Sequence, residues 1–545
     1  MRNLSNCLVA IGLAVSLLSC RSDEPASSGG GETGSKDGVY SSIKFTFPKT
    51  RSTRSSAKEG DEVGKDFENN IGSILVVLAQ KGTGDNEYKF VSYAMNDAPI
   101  TNTTTNTYTV TFQDKEALAR KAEQDVYVFA YCNPSESLRS KVAGTLGANG
   151  QYTGGMKVDD LFTDEIFHDE DVYNTWRRNG FLMTNSSIVK STLPSEDDLK
   201  NKYNSPDNAW NLGTVPVMRT MSRFDFRDAS KNSDYTYDVL DPNDNTKVQG
   251  KVRLTRVALF NLADRFYYLP RIGTADTFTL CPGFEQMEVT GEDYVLSPAG
   301  RTYLEQLPSG DLDPANLPAT LKWNTMAQIA GKDVNNTEGW GTGLEDSEKS
   351  GYHIWRYATE NTFLKNGNTP ANTTGYVFEA EILPDENFGN VVDGVCQTMY
   401  LYNGILYPNA MAMYTESLKT PISTLTTAIN EAFDKTTDDA GNVTALTPKS
   451  DDLVKAMGFV AYKPLDKKYL CYYFAFNTHN EGSLASEIEP MEFATVRNNV
   501  YKLAVTNIKR FGTFTPPAEV DDWDTYFTLS VMVRPWVVRI NNLDF

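Results

Sequence analysis

Three histidines and 71 acidic side chains are the main groups from which this 545-residue chain could build a catalytic site. His168, His353 and His479 do not pair at a metal-binding spacing, and no H-E-x-x-H occurs. No G-x-S-x-G turn is present to lift a serine into a triad. His168 sits in the acidic stretch 164–171, which reads as a solvated loop. Cys132, Cys281, Cys396 and Cys471 lie far apart without a C-x-x-C pair, which is no zinc pattern; isolated buried thiols are expected ahead of two disulfides. Asp241, Asn243 and Asn245 have Ca²⁺-loop spacing, but Thr246 stands where the loop glycine belongs, so the stretch reads as a turn. Glycosidase-type carboxylate pairs can be drawn anywhere among so many acids and carry no signal. The expectation is no enzyme, no metal and no cofactor.

The residue with a defined chemical fate is Cys20. Arg2 supplies a positive start, and residues 7–18 form an apolar stretch too short to span a bilayer. The stretch closes on Leu17-Leu18-Ser19-Cys20, which resembles the bacterial lipobox. Residues 1–20 therefore read as a lipoprotein signal peptide, cut before Cys20, whose thiol is acylated. Several acyl chains on one residue anchor stably where one would be marginal. Residues 21–36, rich in Ser and Gly, are a flexible tether. Ser22-Asp23-Glu24 within it resembles the signal that sends Bacteroidetes lipoproteins to the outer face of the outer membrane.

Next come two arginines in a small polar stretch, Arg51-Ser52-Thr53-Arg54-Ser55-Ser56, of the kind proteases prefer. Just ahead of them Ile43, Phe45 and Phe47 alternate with Lys44 and Thr46, a strand with one apolar face that Pro48 ends. Further strands are expected over 73–80, 88–94, 107–112, 126–132, 181–184 and 215–226, with a helix over 114–124. The polar stretch 228–249 reads as the boundary between two domains, 55–228 and 229–545. Beyond it, strands are expected over 251–260, 376–383, 399–402, 468–477, 500–507, 526–533 and 537–540, with short helices over 424–433 and 452–457. Many short strands with turn signals between them point to β-sandwiches. The 28 tyrosines and 27 phenylalanines suit half-buried pleated surfaces. A formal net charge of -20 excludes the basic footprint that nucleic-acid binding needs.

The C-terminus is the most distinctive stretch. Arg497-Asn498-Asn499-Val500-Tyr501 opens a strand, and a loop with Pro516-Pro517 and Asp521-Asp522 follows. Phe527, Leu529, Val531 and Val533 then alternate, and Arg534-Pro535-Trp536 leads to a terminal Phe545. This order resembles the end of the major subunit of the short fimbriae, a Bacteroidales type V pilus family. Val215-Pro216-Val217-Met218-Arg219, Tyr357-Ala358-Thr359-Glu360-Asn361 and Phe181-Leu182-Met183-Thr184-Asn185 resemble further family segments; in the last, Thr184 and Asn185 depart from the usual Ser-Gly ending.

The resemblance implies an all-β fold of two transthyretin-like sandwiches with a few short helices. It also implies an assembly route. A surface-exposed outer-membrane lipoprotein is cut after Arg51 or Arg54 by an arginine-specific protease. The pro-segment 37–54, with its strand Ile43, Phe45 and Phe47, leaves a groove. The C-terminal segment of another copy, about 524–545, fills it with Phe527, Leu529, Val531, Val533, Trp536, Val538 and Ile540. The expected partners are other copies of the chain, anchor and tip subunits of the fimbria, and the protease. The leading expectation is a structural stalk subunit supporting adhesion. The alternatives are an accessory or tip adhesin of the same pilus, or a surface glycan-binding lipoprotein using Trp340, Trp355 and Trp523 as stacking platforms.

Overall fold

The computed structural model describes residues 38–47, 62–64, 66–102, 105–143, 165–166, 180–274, 277–287, 293–329, 352–364, 367–419, 423–480, 488, 491–520 and 527–537. Cys20, Arg51, Arg54, Val538 and Ile540 lie outside them. The fold is all-β with a few short helices, as expected. Among the described residues no helix is long and apolar enough to cross a membrane.

The first half forms one nine-stranded sheet. Its path runs Tyr88–Asn96, Ile74–Lys81, Asp125–Cys132, Met183–Asn185, Trp210–Arg219, Val39–Thr46, Thr107–Phe112, Ile100–Asn102, with Val189–Thr192 paired off Asp125–Cys132. Alternation explains how it closes. One face of each strand is apolar, and Ile43, Val76, Val110, Val128, Leu212 and Val217 from strands along the whole path meet in a single buried cluster. The sheet therefore folds over on itself as a sandwich.

The second half stacks two five-stranded sheets. One orders Glu62–Val63, Phe527–Val537, Asn499–Ile508, Met221–Asp228 and His353–Thr359; the other holds Thr236–Asp241, Asp244–Phe260, Gly375–Leu383 and Tyr469–Phe476, with Asn324–Thr325 at its side. Phe224, Leu254, Phe378, Tyr473, Leu503 and Phe527 fill the space between them. Aromatic rings pack this core: Phe224 stacks on Tyr501 at 5.0 Å, and Phe226 lies 5.6 Å from Phe378.

Three sequence expectations change. The run 215–226 is two strands, Trp210–Arg219 and Met221–Asp228, in different sheets, and the chain crosses between them at Thr220. Met221–Asp228 thus pairs within the second sandwich, ahead of the boundary read at 228. The polar stretch 228–249 is largely a hairpin whose turn holds Pro242 and Asn243; its residues are polar because much of it is exposed. The helix read over 114–124 is only Lys115–Ala119, capped by Asp114, whose carboxylate accepts from the Ala117 amide at 2.8 Å.

Candidate functional site

The strand Val39–Thr46 is interior, not peripheral. It runs parallel to Trp210–Arg219 and antiparallel to Thr107–Phe112. Ile43 and Phe45 are fully buried, and Phe47 packs half-buried against the same cluster. The sequence reading missed that the buried stripe also includes Val39 and Ser41. Burying a large aliphatic or aromatic side chain contributes about 1.5–3 kcal/mol, so this strand is firmly held. Its loss would leave two facing strand edges and an apolar floor.

One of the strand's buried groups works against it. The Ser41 hydroxyl has no hydrogen-bond partner among the described residues and is fully buried. An unpaired buried hydroxyl costs about 1–3 kcal/mol. Ser41→Ala should therefore stabilise the uncut chain by about 1 kcal/mol, read as a higher urea midpoint at unchanged slope. A lower midpoint would mean that the hydroxyl has a partner.

The strand Phe527–Val537 lies antiparallel along Asn499–Ile508, from Phe527 opposite Ile508 to Pro535 opposite Asn499. It is one strand, where the sequence suggested two broken at Pro535. Proline is tolerated because the outer neighbour here is minimal: Glu62–Val63 pairs in parallel with Trp536 and Val537 only. Phe527 and Leu529 are buried in the second sandwich, with the Phe527 ring 5.4 Å from Tyr473 and 5.8 Å from Phe378. Val531 and Val533 pair through backbone with Leu503 and Tyr501.

Between these strands lies a buried polar junction that sequence reading did not assemble. Its members are up to 289 positions apart. Glu68, on the short helix Asp66–Asn69, is fully buried; its carboxylate accepts from Tyr357 Oη at 2.5 Å and Arg223 Nη1 at 3.1 Å. Arg223 also grips Asp225 at 2.9 and 2.8 Å. Arg219 Nε donates to the Glu68 carbonyl at 3.1 Å, and Arg219 also bonds the Asn69 side chain. Burial lowers the Arg219 pKa to about 10, which leaves it charged at neutral pH. Burial, then the Glu68 charge, raises the Tyr357 pKa, so its phenol keeps its proton and donates.

The C-terminal motif joins the same region. Arg497 Nε and Nη2 donate to Glu360 at 2.9 and 3.0 Å, while Nη1 and Nη2 reach the Tyr268 and Tyr267 carbonyls at 3.0 and 2.5 Å. Asn498 adopts a left-handed φ of 57°, donates its amide to the Met221 carbonyl at 2.7 Å and accepts from the Arg219 amide at 3.2 Å. Thr184 Oγ1 donates to the Tyr268 carbonyl at 2.6 Å, and the Phe181 ring lies 4.8 Å from Tyr357. The segments that carried the family resemblance thus converge where the two sandwiches meet.

Other sequence candidates are accounted for by packing. Trp355 is buried and donates Nε1–H to Asn324 at 3.0 Å, so it offers no sugar platform. Trp340, Trp523 and His168 lie outside the described residues. His479 Nδ1 lies 3.0 Å from Tyr501 Oη. Cys132, Cys281, Cys396 and Cys471 are free thiols. Among the described residues no group of three or more His, Cys, Asp or Glu could hold a metal ion. Asp241 accepts from the Asn243 amide at 2.9 Å, the turn expected there.

Residues 467–542 match the family model for the major fimbrial subunit protein type IV, fimbrillin, C-terminal. The match covers the C-terminal end of the chain, the stretch that holds both Asn499–Ile508 and Phe527–Val537. Solved structures similar to this chain include a proposed cell adhesion protein of Parabacteroides distasonis (13% identity, TM-score 0.41, covering 92% of this chain and 100% of that one). A fimbrilin of Porphyromonas gingivalis has 12% identity and TM-score 0.38, covering 92% of this chain and 98% of its own. The tip fimbrial protein Mfa3 of the same species, with a C-terminal truncation, has 10% identity and TM-score 0.33, covering 92% and 100%. No curated protein sequence matches the chain.

Proposed function

We propose that the chain is the stalk subunit of a cell-surface fimbria that supports adhesion, polymerising by strand exchange after proteolysis. The precursor is a lipoprotein acylated at Cys20 and exposed on the outer membrane. An arginine-specific protease cuts after Arg51 or Arg54, and the strand carrying Ile43, Phe45 and Phe47 leaves. The groove between Thr107–Phe112 and Trp210–Arg219 then takes the C-terminal segment of another copy. Phe527 and Leu529 root that donor in its own core. Val531, Val533, Trp536, Val538 and Ile540 reach into the neighbour. Anchor and tip subunits close the two ends.

The observation that carries this reading is the placement of Val39–Thr46: a central, buried strand whose covalent connection to the strands it pairs with runs through the arginine-bearing linker. A chain cut there loses a whole core strand while the following segment stays fixed by Glu68. A stalk subunit needs both a groove and a donor, and the retained strand Phe527–Val537, with only the two-residue Glu62–Val63 outside it among the described residues, supports stalk over tip.

Mapping the N-terminus of subunits sheared from the cell surface tests the route. Mature subunits are expected to begin at Ser52 or Ser55. Filament subunits that still begin at Cys20 would rule the cut out.

A further inference from the structure

The segment that follows the linker is bound at two places with different strengths. Downstream, it is bolted to the junction: Asn69 Nδ2 donates to the Gly64 carbonyl at 2.9 Å, and Glu68 is buried against Arg223 and Tyr357. Further on, Asn133 accepts from the Gly72 amide at 2.8 Å and donates to the Asn70 carbonyl at 2.7 Å. Upstream, among the described residues, Glu62 and Val63 alone pair with the last strand, in parallel with Trp536 and Val537. Theirs is the outer edge of the last strand, which has Asn499–Ile508 on its other side.

We infer that Glu62–Val63 is a clasp that keeps the far end of the last strand in its own sheet until the linker is cut. A two-residue strand is too short to hold by its own pairing. It is held because the chain is tied on both sides. Glu68 fixes one flank, and the first strand, ending at Thr46 in the other sandwich, fixes the other. Restricting both flanks lowers the entropy lost on pairing. Hydrolysis of one peptide bond after Arg51 or Arg54 removes the upstream tie. Glu62 then lies 10 positions after Ser52 or 7 after Ser55, in the stretch next to a free N-terminus, where fraying costs little. Glu68 stays in place, so the mature N-terminus remains on the junction while the clasp opens. One cut thereby opens the groove and loosens the donor, and an uncut chain keeps both closed. This inference rests on the strand-exchange reading above.

Backbone amide exchange on the full-length precursor tests it. Replacing Glu62 and Val63 together by proline removes both N–H donors. Exchange over residues 531–537 is expected to accelerate about tenfold or more, with residues 39–46 as protected as in the wild type. A variant with glycine at both positions keeps the donors, raises only chain entropy, and should give a smaller acceleration. Cutting the wild type with an arginine-specific protease should accelerate exchange over residues 531–537 to a similar degree. Unchanged protection of 531–537 in both variants, or in the cut wild type, would overturn the clasp. If exchange behaves as expected but the cut chain forms no polymer, the clasp stands and the strand-exchange reading fails. If polymers form while 531–537 exchanges at one rate throughout, the reverse holds.

Discussion

A chain that ends at Arg534 is expected to fold, reach the cell surface and remain monomeric. The deletion of residues 535–545 leaves Phe527 and Leu529 in the core and preserves the pairing from Phe527–Ile508 through Arg534–Val500. It removes Trp536, Val538 and Ile540, three knobs that each contribute about 1.5–3 kcal/mol when buried. A joint that loses them, together with its backbone pairing, should not survive dilution. In the proposed assembly donor and groove lie on different parts of the subunit, so the contact would be head to tail and would build an open filament. The comparison is a ladder on mildly denaturing gels for the wild type against a single band for the truncation. A persisting ladder would place the donor elsewhere. Degradation of the truncated chain would show that residues 535–545 serve the subunit's own core.

Arg497→Ala is expected to destabilise the chain by about 3–5 kcal/mol, because it strands the buried Glu360 carboxylate without its counter-charge. Two carbonyls, of Tyr267 and Tyr268, lose a donor at the same time. The measurement is the urea midpoint of the purified precursor. Arg497→Lys keeps the charge but cannot fork across two carboxylate oxygens and two carbonyls, so it should fall between the two. Arg497→Ala with Glu360→Leu removes both charges and should recover part of the loss. A change below about 1 kcal/mol for Arg497→Ala would mean that the pair does not hold the junction.

The strands were legible where one face is apolar and turn residues bound the run. Thr107–Phe112 and Met399–Tyr402 fall at the residues read, and Gly375–Leu383 and Asn499–Ile508 differ by one at their ends. The sheet switch at Thr220 was not legible. No glycine or proline marks it, and apolar residues continue on both sides, so nothing local distinguishes one long strand from two. The hairpin from Thr236 was misread for the opposite reason: exposed strand positions tolerate Asp, Asn and Lys, which mimic a loop. Of the site, Ile43 and Phe45 could be read from alternation alone. Glu68 could not. It is one acidic residue among 71, and its meaning comes from Arg223 and Tyr357, which only the fold brings near.

The junction also decides where a pull on a filament would be borne. If each subunit receives its neighbour in the first sandwich and reaches the next from the second, tension must cross between them. The backbone crosses at Thr220, flanked by Arg219 in one sheet and Met221 in the other. Asn498 grips both of those residues, and Arg219 is tied to Glu68 and Asn69. Arg497 and Thr184 both hold Tyr268, adding a second tie beside the first. A load across the waist would therefore be borne by these side-chain bonds together with the backbone at Thr220. A pilus exposed to flow would then stretch at its strand joints before its subunits come apart at the waist.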